Sequence, residues 1–272
     1  MTKNLDKDGF CSIVDNYQLF YIDLWGVIHN GIKLHKEAIK VLKEITKKGK
    51  DYILLTNAPR PNDVVKSFLE KMGMEKEIRE HVFTSGQASL NYLKQNLPTQ
   101  KFFHVGPPRD FDLFNDFIRM KSDDIYKSDY ILCTGLFEKF DNDLNYYKEL
   151  FNKNLEKQMI CTNPDLIVDR GNVRELCAGS VAMVFEKMGG KVVYFGKPYP
   201  EVYNLSINNK GKKILSVGDN LNTDIKGANL LNYDTLIISN GIHKNEIKEK
   251  GIEATAKSYE TICNFIQSDL KW

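Results

Sequence analysis

Apolar, β-prone runs alternate with amphipathic stretches along most of the 272 residues, a pattern of strands each followed by a helix. Tyr17–Leu24 is the first apolar run, and it closes on Asp23 before Gly26 lets the backbone turn away. His35–Lys48 then sets Ala38, Ile39, Leu42 and Ile45 on one face with lysines opposite, an amphipathic helix that Gly49 stops. A second strand, Asp51–Leu55, runs into Thr56-Asn57-Ala58-Pro59-Arg60. Asn62 and Asp63 cap a helix reaching Met72, and a short strand at His81–Thr84 precedes a helix over Gln87–Leu97. Strand and helix in regular succession imply right-handed crossovers and a parallel sheet.

The alternation then starts afresh. Strands are expected at Lys101–Val105, Tyr130–Cys133 and Met159–Thr162, with a helix over Asp143–Lys153. From Ser180 the first pattern resumes, with a helix at Val181–Met188 and strands at Lys191–Phe195, Lys213–Val217 and Thr235–Ser239. The expected fold is therefore α/β: a doubly wound parallel-sheet core over 1–85 and 180–272, with a second α/β unit inserted over 86–179.

Composition narrows the function only slightly. A net charge of +2, with Lys and Arg matched by Asp and Glu, makes no case for nucleic acid, and the lysine-rich helices read as solvated faces. No apolar run approaches a membrane span and Met1–Phe10 lacks the apolar core of a signal peptide, so a cytoplasmic location is the default expectation. The five cysteines are scattered and never in CxxC spacing, which argues for reduced thiols and against a thiolate zinc site. His29 and His35 are separated by a turn glycine, Gly31, and do not read as a two-histidine metal site.

The strand ends carry the chemistry. Asp23, then Thr56-Asn57, then Lys197 in Gly196-Lys197-Pro198, then Asp219 with Asp224 each follow an apolar run. In one parallel sheet such tips converge on one edge, where ligands bind. Clustered carboxylates need a cation, and hard oxygen donors suit Mg²⁺ completed by water or a phosphate. A hydroxyl, amides and a lysine alongside would hold a tetrahedral anion, which Asp23 could attack.

These motifs, in this order, are similar to those of the haloacid dehalogenase-like hydrolases. The insertion resembles the α/β cap of the class IIA, NagD-like members, as do Thr84-Ser85-Gly86, Thr162-Asn163-Pro164-Asp165 and Cys177-Ala178-Gly179. The resemblance implies Asp23 as nucleophile, with Mg²⁺ held by Asp23, Asp219 and the backbone carbonyl of Trp25. It implies Thr56 and the Asn57 amide on the phosphoryl group, and Lys197 orienting Asp23. Asp224 and Asn220 would support the metal site, while Asn163 and Asp165 of the cap would shape the pocket. The implied activity is Mg²⁺-dependent hydrolysis of a small phosphorylated metabolite, a sugar phosphate or nucleotide, through an aspartyl phosphate. A homo-oligomer is left open.

One position departs. Phosphatases of the superfamily usually carry a second Asp two residues after the nucleophile, as acid and then base; here it is Trp25. Either another group substitutes, with His29 the candidate, or the hydrolysis needs no leaving-group protonation, or the chain binds a phosphorylated ligand and hardly turns it over. Trp25 either walls the pocket or packs beneath the cap. Arg60 either grips a second anionic group or is a surface residue after a proline turn. Phe102, Phe103, Phe111, Phe114 and Phe117 read as core.

Overall fold

A strand buried on both faces must be apolar throughout, and the runs foreseen from the sequence meet that condition. The computed structural model describes residues 1–170 and 173–272. In chain order the strands are β1 (Lys3–Asn4), β2 (Leu19–Ile22), β3 (Asp51–Thr56), β4 (Val82–Thr84), β5 (Phe102–Val105), β6 (Lys121–Ser122) and β7 (Tyr130–Cys133). There follow β8 (Gln158–Cys161), β9 (Ile167–Arg170), β10 (Val173–Leu176), β11 (Lys191–Tyr194), β12 (Ile214–Gly218), β13 (Asp234–Ile238) and β14 (Phe265–Gln267).

The chain divides into two compact units. The first comprises Met1–Thr56, Lys66–Phe83 and Tyr203–Trp272. Its sheet has seven strands in the order β1-β14-β13-β12-β2-β3-β4. The pairs from β1/β14 through β2/β3 run parallel. Every residue of β2 and β12 is buried, as expected of central strands. The helix Lys36–Lys47 buries Ala38, Val41, Leu42 and Ile45, the face read from its periodicity.

The second unit comprises Asn57–Val65 and Thr84–Val202. Its parallel five-stranded sheet has the order β11-β8-β7-β5-β6, and β9 pairs antiparallel with β10. The pairing of β11 with β8, from Lys191↔Gln158 to Tyr194↔Cys161, extends this sheet past the expected boundary at Gly179. The helix Ala178–Lys187 likewise places Val181, Ala182 and Phe185 in the core of the second unit. Alternation identifies a strand or helix but does not say which neighbour buries it, so the return point was misplaced. Strands β9 and β10 were not foreseen, because charged residues interrupt their apolar pattern.

Phe102 and Phe114 are fully buried with ring centroids 5.0 Å apart, and Phe117 packs on Phe102 at 5.8 Å, a core role as expected. The segment Pro108–Met120 is 3₁₀ turns interrupted at Phe114 and Phe117 instead of one regular helix. All five cysteines are free thiols, four of them buried. Among the described residues no helix is long and apolar enough to cross a membrane.

One buried acid of the second unit yields a stability prediction. Asp110 follows β5, and burial raises its carboxyl to about 6, opposed by a hydrogen bond with Thr134 and by Arg109 and Arg60. Between its ordinary value of 3.8 and about 6, the folded chain keeps a proton that the unfolded chain has lost. Stability therefore falls as pH rises through that window, by about 2–3 kcal/mol. Asp110→Asn keeps the shape without the charge. It is expected to raise the thermal unfolding midpoint at pH 7.5, with the gain fading as pH falls toward 4. Equal midpoints at pH 7.5 would contradict this.

Candidate active site

The first sheet reverses its chain order between β2 and β12: one leads to β3 on one side, the other to β13 on the opposite side. Such a switch point leaves a crevice beyond the carboxyl ends of the two strands. The register Val217↔Ile22 brings the next residues of both strands to that crevice. The Asp23 N–H donates to the Val217 carbonyl at 2.9 Å, holding the strand end in place.

Beyond β12 the chain enters a single wide helical turn, Leu221–Ile225, capped by the Asn220 side chain, which accepts from the Asn222 N–H at 2.9 Å. The turn brings Asp224 back, and its Oδ2 accepts the Asn220 N–H at 3.1 Å. Asp219 Oδ2 accepts the Ile242 N–H at 3.0 Å, from the loop after β13. Asp23, Asp219 and Asp224 are 7 %, 8 % and 2 % exposed. Each offers a carboxylate oxygen within 4.8 Å of the others.

Two unit charges at that separation repel by about 3 kcal/mol at an effective dielectric constant of about 20. A divalent cation would offset this repulsion, and three carboxylates without a thiolate suit a hard ion. Gly26 makes the approach possible: its φ of 81° lies in the left-handed region, and a β-carbon there would stand 2.1 Å from Asp219 Oδ2.

Thr56 ends β3, the neighbour of β2, and is buried. Asn57, next in the chain, belongs to the second unit and is joined there to Lys197. Its Oδ1 accepts the Lys197 N–H at 2.7 Å and its Nδ2 donates to the Lys197 carbonyl at 2.9 Å. Asn57 Nδ2 also donates to Asp165 Oδ1 at 3.1 Å, while the Asp165 N–H donates to Asn163 Oδ1 at 2.9 Å. The structure thus gives Asn163 and Asp165 a bracing role around Asn57. Arg60 forms an ion pair with Asp112 of its own unit.

His29 is buried, and its Nδ1 accepts the Gly31 N–H at 3.0 Å. Burial lowers it to about 4, and the charge of His35 acts in the same direction. The imidazole is therefore neutral at pH 7, with its one proton on Nε2. Trp25 packs edge-on against it, with centroids 5.0 Å apart. Two features escaped the sequence reading: the Ile242 amide on Asp219, and the side chain of Asn57 holding the Lys197 backbone. The first had a signal, since Gly241 and Ile242 follow the strand adjacent to β12.

The profile of haloacid dehalogenase-like hydrolases matches residues 20–117, and a second, HAD-hydrolase-like profile matches residues 194–263. The chain is 25% identical to phosphoglycolate phosphatase 2 of Arabidopsis thaliana, covering 97% of each chain. It is 24% identical to an acid sugar phosphatase of Staphylococcus saprophyticus, over 88% of this chain and 93% of that one. Among solved structures, a haloacid dehalogenase-like hydrolase from Brucella suis superimposes with a TM-score of 0.83 at 27% identity, over 96% of this chain and 98% of that one. Both profiles fall on the stretches that supply the clustered carboxylates, in the same order along the chain. The chain belongs to the haloacid dehalogenase-like hydrolases and is a hydrolytic enzyme.

Proposed function

We propose that the enzyme is a Mg²⁺-dependent phosphatase that hydrolyses a small phosphorylated metabolite through an aspartyl phosphate on Asp23. The observation that carries this reading is the buried cluster of Asp23, Asp219 and Asp224 at the switch point of a parallel sheet. The phosphatase names of two relatives support it, and sugar phosphates and nucleotides are the substrate classes to examine first.

In this reading Asp23 attacks phosphorus and holds the phosphoryl group until water displaces it. The Thr56 hydroxyl and Asn57 amide bind the transferring oxygens, and the Lys197 ammonium offsets their growing charge. Mg²⁺, held by Asp23, Asp219 and the Trp25 carbonyl, would supply further neutralisation of the phosphoryl oxygens. Asp224 and Asn220 keep the Asp219 loop in place through the bonds described above.

A second reading, binding with little turnover, draws on Trp25 in place of an acid and on the neutral, buried His29. Steady-state hydrolysis of p-nitrophenyl phosphate separates the two. Chelation is expected to reduce phosphate release to background, and added Mg²⁺ to restore it. A folded protein that releases no phosphate with Mg²⁺ present would favour binding instead.

A further inference from the structure

Trp25 stands two residues beyond Asp23, and its indole is folded over Gly31. The Cη2 and Cζ2 atoms lie 2.7 and 2.8 Å from where a β-carbon on residue 31 would stand, so only glycine leaves room for the ring. His29 meets that ring, and Phe68 meets His29 at 5.9 Å between centroids. Phe68 is 38% exposed, so this aromatic row reaches solvent. His29 Nδ1 accepts the Gly31 N–H, so the neutral ring holds its one proton on Nε2, an N–H too weakly acidic to serve as a general acid. Residues 24–31 contain no carboxyl group. The loop leaving the nucleophile strand thus carries an aromatic row and no carboxyl group.

An alkoxide leaving group needs a proton, and general acid help is worth about 10²–10⁴ in rate. An oxygen on an sp² carbon, as in aryl, enol and acyl phosphates, delocalises its charge and departs without one. Such carbons are also planar, a shape that packs on aromatic rings. Resting on the phosphatase reading above, we propose that the substrate carries its phosphate on an sp² carbon, and that the Trp25–Gly31 loop selects for it.

In the first step an Asp23 oxygen bonds to phosphorus as the bond to the leaving oxygen breaks. The electron pair departs with that oxygen as a delocalised anion, and no proton is transferred. In the second step water adds to phosphorus, the bond to Asp23 breaks and Asp23 departs as carboxylate. The proton of the water passes to solvent. With no carboxylate on the loop to take that proton this step is slow, and the aspartyl phosphate accumulates.

The test is kcat/KM with Mg²⁺ across ring-substituted phenyl phosphates, which vary leaving-group basicity at similar shape. A fall of about 10²-fold or more from 4-nitrophenyl to phenyl phosphate is expected. A pre-steady-state burst of nitrophenolate equal to the enzyme concentration should accompany it. Acetyl phosphate, phosphoenolpyruvate and 4-nitrophenyl phosphate rank acyl, enol and aryl carriers, and glycerol 3-phosphate should lie about 10²–10⁴-fold below the best of them. Trp25→Asp should flatten the dependence and remove the burst, whereas Trp25→Phe should keep both. A flat dependence in the wild type overturns the proposal while the phosphatase reading stands. Absence of Mg²⁺-dependent release from every ester removes both.

Discussion

Asp23→Asn is expected to lower Mg²⁺-dependent turnover of p-nitrophenyl phosphate by about 10⁴-fold or more. The carboxamide matches the carboxylate in shape, and the Asp23 backbone stays tied to Val217. What disappears is the nucleophile, because an amide does not form the mixed anhydride with phosphate. The variant also loses one of three buried negative charges lying within 4.8 Å of one another. In chelator its thermal midpoint should therefore equal or exceed that of the wild type, since about 3 kcal/mol of repulsion per pair is relieved. Thermal unfolding and kinetics on one preparation thus separate lost chemistry from lost fold. Wild-type turnover in the variant would contradict the role given to Asp23.

Asp219→Asn should act through the cation. The side-chain oxygen can still accept the Ile242 N–H, so the loop after β13 keeps its anchor. The lost charge should weaken Mg²⁺ affinity by at least about 100-fold, since even outer partners of metal ligands are worth 10–100-fold. The measurable result is a Mg²⁺ titration of activity shifted to higher concentration, with turnover partly recovered at saturation. Asp23→Asn should show no such recovery at any concentration. An unshifted titration for Asp219→Asn would remove that residue from the metal site.

How much of this was legible in the sequence depends on how local each feature is. Strands β2, β3, β7 and β12 were readable because a strand buried on both faces is apolar throughout, and their polar ends stand out against it. Asp23, Asp219 and Asp224 were found for that reason, and the cluster joins them. Pairing is not local. The strand Lys191–Tyr194 was recognised as a strand but assigned to the wrong sheet, because its apolar residues would suit either one. The motif containing Asn163 and Asp165 was visible, whereas its hydrogen bond to Asn57, more than a hundred residues away, was not. His29 reads as a titrating group, whereas the burial that lowers it to about 4 is set by packing and not by the local sequence.

The proposed reaction turns on a phosphoryl group carried covalently by Asp23. Its most direct test is to mix the wild-type protein with p-nitrophenyl phosphate and Mg²⁺, quench in acid within the first turnover, and locate the phosphoryl group by peptide mass spectrometry. The group is expected on Asp23, dependent on Mg²⁺ and missing from Asp23→Asn. A phosphoryl group on another side chain, or rapid turnover with no phosphorylated Asp23 at any quench time, would contradict it.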